Sequence, residues 1–268
     1  MEGFSRRFRQ GGVLIFMTIA LALSAQATSF SNASLNGSYS FLTNLWTENV
    51  NTNEFAMIGV LTFNGAGDVT GSYTSISAGI VQTGTLGGTY SVNSNGTGEI
   101  TFTAGSTAQF TITLNSTAAK VAHGVQLLQT NDSNNENVSG IALLQSTTAE
   151  TYSAASLKGN LTFEFNHWSA DPSQLAGASV GIFAFDGKGN VKITETEVYG
   201  GVAYTGIVTG TYTVNPDGIG TIIVGTGSPF NFALNSVAAG KAKGLQFIDT
   251  NPGDGNGNLI IAGTALKQ

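Results

Sequence analysis

A segment of this chain occurs twice, and that duplication limits the possible folds more than any other feature. Gly59–Asp68 reads GVLTFNGAGD and Gly181–Asn190 reads GIFAFDGKGN. A shift of 122 residues carries Gly59–Gly98 onto Gly181–Gly220 without a gap, and 16 of those 40 positions are identical. Each copy must therefore build the same unit, of about 120 residues, a size that supports a core of its own.

Within each unit the apolar residues alternate. In the first strand Tyr39 and Phe41 share one parity and Ser40 the other; Leu161, Phe163 and Thr162 repeat this. That period of two marks a half-buried strand. The second strand, 55–63 or 177–185, is apolar on both faces: Leu61 and Phe63 on one, Ile58 and Val60 on the other, with Val180 and Ile182 in the second copy. Cover from a neighbouring domain, a loop or a partner is expected on its outer side. Asn64-Gly65 and Asp186-Gly187 follow, and Asn95-Gly96 and Asp217-Gly218 come later. Asx-Gly between alternating runs predicts two-residue type I′ hairpins, with positive φ at both central positions. Further strands are expected near 69–75, 84–93, 98–102, 110–114, 124–127 and 138–145, and again in copy two, where the shift drops to 120 before Phe230. Eight strands per copy with short turns predict an all-β chain of two tandem eight-stranded antiparallel up-and-down β-barrels, because closure removes exposed edges. Two β-sandwich domains are the alternative. A single sixteen-stranded outer-membrane barrel fits poorly with the polar linker at 146–156, the short strands and the lack of aromatic girdles.

Before the first unit, Arg6, Arg7 and Arg9 precede an apolar run over 13–23 and an Ala25-Gln26-Ala27 site. This pattern predicts a secretory leader over 1–27, with barrel repeats over 28–147 and 148–268 and an exported protein, periplasmic or extracellular. Losing three arginines and Glu2 with the leader moves the formal charge from −6 to −8. An acidic chain without a basic run argues against nucleic acid and anionic lipid as partners, and no membrane span is expected in the mature chain. With no cysteine, the exported fold is not held by disulfides.

The pattern Leu-x-Gly-x-Tyr, then Phe-Asx-Gly-x-Gly-Asx-Val, then Gly-Thr-Tyr-x-Val-Asn resembles a group of exported bacterial Gly-rich β-repeat proteins. The resemblance implies a fold and a location but no activity. More loosely, Gly37-Ser38-Tyr39 on the first strand is similar to the Gly-x-Trp opening of calycins, the lipocalin and avidin group. That likeness implies a barrel carrying a small apolar ligand; copy two has Leu161 in place of the aromatic.

Reactive groups are sparse. His123 and His167 are the only histidines and occupy non-equivalent positions; surface or strand-end placement is expected for both. Asp186 with Asn190, and Asp254 with Asn258, surround Gly with oxygen side chains, so calcium is a candidate cofactor at these loops. Asx-Gly turn chemistry needs the same residues for backbone reasons alone. Asn44 and Trp46 recur as Asn166 and Trp168, and Gln126 recurs as Gln246. These six are candidate ligand-binding residues, suited to a glycan, a protein partner or a small ligand, and a Trp filling a barrel end explains the same recurrence. Because framework residues repeat and no reactive set does, the chain is expected to be a non-enzymatic binding or surface protein. The alternatives are a calycin-like carrier and a hydrolase on a barrel scaffold, which would need a cleft gathering acidic or amide groups.

Overall fold

The computed structural model describes residues 29–46, 55–77, 79–118, 121–131, 137–169, 176–225, 227–250 and 259–268. The expected leader lies outside them. The first unit contains β1 (Asn36–Trp46), β2 (Phe55–Asn64), β3 (Asp68–Ser77), β4 (Ile80–Val92), β5 (Thr97–Ala104), β6 (Gln109–Ala118), β7 (Val121–Gln129) and β8 (Asn137–Ser146). The second contains β9 (Lys158–Ser169), β10 (Gly177–Asp186), β11 (Asn190–Tyr199), β12 (Val202–Val214), β13 (Ile219–Val224), β14 (Ser228–Asn235), β15 (Gly244–Asp249) and β16 (Leu259–Lys267). Each strand pairs antiparallel with the next, and each set closes into a barrel. Phe41 of β1 pairs with Ala142 of β8, and Phe163 of β9 with Ala265 of β16. The chain is therefore two tandem eight-stranded up-and-down barrels rather than two sandwiches or one large ring.

Alternation sends the aromatics inward. Tyr39, Phe41, Leu61, Phe63 and Tyr90 are buried in the first core, and Leu161, Phe163, Phe183, Phe185 and Tyr212 in the second. A short 3-10 turn closes one end of each barrel, at Asn32–Ser34 and Ala154–Ser156. The recurring tyrosines bind these turns. Tyr90 donates its hydroxyl proton towards the Asn32 and Leu35 carbonyls at 3.0 and 2.9 Å. Tyr212 reaches the Ala154 and Leu157 carbonyls, both at 2.9 Å. A buried phenol needs such partners.

The Asx-Gly hairpins are not two-residue type I′ turns. Positive φ falls on Gly65 and Gly67 (76° and 127°), and Asn64 itself stays extended at the end of β2. The Asn64 side chain explains the change. Its Oδ1 accepts from the backbone N–H groups of Ala66, Gly67 and Asp68 at 2.8 to 3.0 Å, which holds a three-residue loop. Local side-chain bonding of this kind competes with the tighter turn.

The outer face of β2 is covered, as its second apolar side requires. Leu42, Ala56, Ile58, Val60 and Ile76 of barrel one pack on Ala233, Ile248, Ile260 and Ala262 of barrel two. Polar contacts sit within this seam. Ser40 Oγ donates to Gln246 Oε1 at 2.8 Å, and Gln246 Nε2 donates to the Ile141 carbonyl at 3.2 Å. Gln145 Nε2 donates to the carbonyls of Leu234 (3.0 Å) and Asp217 (3.2 Å). The expectation of cover fails for copy two. There Val180 is 59% exposed and the outer face of β10 meets solvent, because the tandem arrangement places only one barrel beside this type of face.

Candidate functional site

The candidate site lies inside the second barrel and starts from the parity of β11. Val191, Ile193, Glu195, Glu197 and Tyr199 share the inward face. The first two are buried in the core, and the next two bring carboxylates into the same interior. Strand register builds layers around them: Phe163, Gly181 and Glu195 are neighbours across β9, β10 and β11, as are Phe165, Ser179 and Glu197, and His167, Gly177 and Tyr199. Two glycines make room for the rings beside them. A Cβ at Gly181 would stand 2.6 Å from the Phe163 ring, and one at Gly177 would stand 2.6 Å from the His167 ring.

These layers enclose a cavity of about 260 Å³. Phe163, Phe165, Phe183, Phe230 and Phe247 form much of its wall, with Ile193, Val208, Val224 and Ile261. Glu195, Glu197 and Asp249 supply its polar groups, and no Lys or Arg is among the described residues that line it. The rings brace one another. Phe163 stacks on Phe183 at 4.2 Å, and Phe247 meets Phe163, Phe165, Phe183 and Phe230 edge to face.

Burial sets the protonation of the site. Glu195 has its pKa raised, first by loss of water around the carboxylate and then by the nearby Glu197 charge; the Ser179 hydroxyl, 3.5 Å from Oε2, opposes this. His167 is 3% exposed, and its Nε2 lies 3.2 Å from Glu197 Oε1. That contact raises the imidazole pKa, but burial lowers it more, so the net shift is downward. The imidazole beside Glu197 is therefore held towards its neutral form. Neither ring nitrogen makes a hydrogen bond within the protein, despite the short distance to Glu197. The ring packs against Phe165 and lies parallel to Tyr199, with centroids 5.7 and 5.6 Å away. A carboxylic acid with a raised pKa, next to a second carboxyl group and an imidazole, can give one proton and take another.

Barrel one lacks this set. The 122-residue shift places Tyr73 at Glu195, Ser75 at Glu197 and Leu45 at His167, and the 120-residue shift places Gln129 at Asp249. Leu45, Leu86, Phe102, Phe110 and Val138 are buried in that core.

The residues expected from recurrence are scattered. Asn166 and Gln126 lie exposed on the outsides of their barrels. Asn44 is half-buried on the outward parity of β1, and its Oδ1 has no hydrogen-bond partner. Gln246, the copy-two equivalent of Gln126, is buried in the seam between barrels. Trp46 pairs with Asn137 and Trp168 with Ile260 along the strands; their side chains lie outside the description. Asp186 is occupied by its own turn. Asn190 Nδ2 donates to it at 2.6 Å, and the backbone N–H groups of Lys188 and Asn190 donate at 2.6 and 3.0 Å. These bonds, the Asn190 side chain first, hold its pKa down at about 2. Asp254 and Asn258 lie outside the described residues, and among those described no group of three potential metal ligands occurs. His123 is exposed, while His167 is in the barrel interior rather than at the surface.

No family model matches the chain, and no curated protein does. Solved structures of similar layout include kievitone hydratase from Nectria haematococca, 9% identical over 90% of this chain and 91% of that one, with a TM-score of 0.29. CghA is 6% identical over 86% and 88%, with a TM-score of 0.28. A protein assigned as AttH from Nitrosomonas europaea is 9% identical over 85% and 92%, with a TM-score of 0.26. Likeness this slight decides nothing about reaction or ligand. The expectation of a non-enzymatic protein is nonetheless corrected. It rested on the absence of a repeated reactive set, whereas the second barrel alone gathers Glu195, Glu197, Asp249 and His167 about a cavity.

Proposed function

We propose that the second barrel is the active centre of an acid–base enzyme, of hydrolase or hydro-lyase type, acting on a small and largely apolar substrate. The observation that carries this reading is Glu195, kept protonated to higher pH than an ordinary glutamate, beside the Glu197–His167 pair in one cavity. Glu195 gives its proton to the leaving oxygen. Glu197, backed by His167, takes one from the attacking water or from the carbon that loses it. The Phe walls exclude bulk water and hold the substrate body. The leader pattern at 1–27 supports a site of action outside the cytoplasm.

The test is incorporation or loss of label in ¹⁸O-enriched water, using the full chain and a panel of small aromatic ethers, esters and β-hydroxy ketones. Exchange by the wild type, reduced about 10²- to 10⁴-fold in Glu195→Gln, is the expected result. No exchange with any member of the panel overturns the reading. A second reading, a calycin-like carrier, is favoured by the five-Phe wall. In that case the same compounds are bound and returned unchanged.

A further inference from the structure

The chemistry of the cavity wall also restricts what can occupy it. We infer that the second barrel selects an uncharged ligand with an aromatic body and a hydroxyl head that donates a hydrogen bond, and that it rejects the corresponding anion. The inference deepens the acid–base reading of this site and concerns binding only.

The cavity's charged groups are one-sided. Glu195, Glu197 and Asp249 line it, and among the described lining residues there is no Lys or Arg. A carboxylate accepts hydrogen bonds and cannot donate them. A ligand head that only accepts, such as an ether, therefore finds few donors here, and an anionic head would be buried among acidic side chains. A hydroxyl can donate to Glu197 and still accept from Glu195. His167 is a second sign of a ligand. Its Nε2 faces Glu197 at 3.2 Å, but its Nδ1 is buried without a hydrogen-bond partner in the protein. The body of the ligand is set by the rings. The stacked Phe163–Phe183 pair and the edges of Phe247 present flat, apolar surfaces suited to an aromatic plane. At about 260 Å³ the space suits a compound of one or two fused rings.

Calorimetric titration of the full chain with three probes that share one ring system tests this. The probes are 2-naphthalenemethanol, its methyl ether and 2-naphthoate. The alcohol should bind at least about tenfold tighter than either of the others, since a hydrogen bond to a charged group typically contributes that much. In Glu195→Gln/Glu197→Gln the gap between alcohol and naphthoate should narrow, because the amides supply donors and remove charge. Equal binding of alcohol and ether, tighter binding of naphthoate, or no binding of the alcohol each overturns the inference. The wild-type ranking decides the matter even if the double variant does not fold. Failure here with ¹⁸O exchange intact would reject the ligand class and leave the acid–base reading standing.

Discussion

Glu195 and His167 are displaced from their charged forms by the same cause, loss of water, and this has opposite consequences with pH. The groups that face them are Glu197, Asp249, Ser179 and Tyr199. For Glu195 the folded pKa lies above the ordinary glutamate value of 4.5, so the folded state holds the proton more tightly, and this contribution is lost as pH rises through the folded pKa. Replacing it by Gln should therefore raise the melting temperature at pH 7, with the gain vanishing at pH 4; a gain of equal size at both values would show that ionisation is not the cause. For His167 the folded pKa lies below 6.5, so the unfolded chain takes up the proton first and stability falls as pH drops below that value. His167→Gln should flatten this acid-side slope in melting experiments between pH 7 and pH 5, and an unchanged slope would count against it. Part of the site was legible in the sequence. Val191, Ile193, Glu195 and Glu197 share a parity, and the first two identify the inward face. A search for residues common to both copies discards such a set, because Tyr73 and Ser75 stand in the other copy. His167 gave no signal of its own; its burial depends on Gly177, ten residues away on the next strand.

At the scale of the strand and the hairpin, close packing explains several glycines. Gly181 on β10 lies beneath the Phe163 ring and against the Thr194 carbonyl of β11. A methyl group there has to displace either a cavity wall or a strand, so Gly181→Ala should cost about 1–3 kcal/mol in denaturant unfolding. It should also weaken any ligand of the second barrel, whereas Gly206→Ala, with nothing within 4 Å of the added Cβ, should leave ligand binding unchanged. Strand number and order were readable from alternation and turn residues, since both depend on local patterns. Turn type was not, because it depends on where the Asn64 and Asp186 side chains send their oxygens. Strand length was underestimated in β4, which begins at Ile80 rather than near 84, where its hairpin with β3 runs past the apolar alternation.

At the scale of the whole molecule, the seam makes the two barrels one cooperative unit. Ile58 is fully buried in the cluster that contains Ile248 and Ile260. Calorimetry of the full chain should show one transition. Ile58→Ala should cost about 2–5 kcal/mol. Ile58→Asp, which places a carboxylate among these aliphatic groups, should split the melt into two transitions. A single unshifted transition in the Asp variant would mean that the barrels unfold independently of this contact. The doubly apolar β2 gave notice of the seam in the sequence. The surface it meets gave none, because Ala233 and Ile248 look like ordinary strand residues until closure turns them outward.

The seam joins unlike surfaces, β1–β2 of one barrel against β14–β16 of the other, and a contact of that polarity could in principle repeat from molecule to molecule without end. The first barrel's own version of the receiving surface carries Thr113, Asn137 and Ser139 where the second has Ala233, Ile260 and Ala262. Those three polar side chains make the first barrel's version of this surface a poorer seat for the outer face of β2 than the second barrel's.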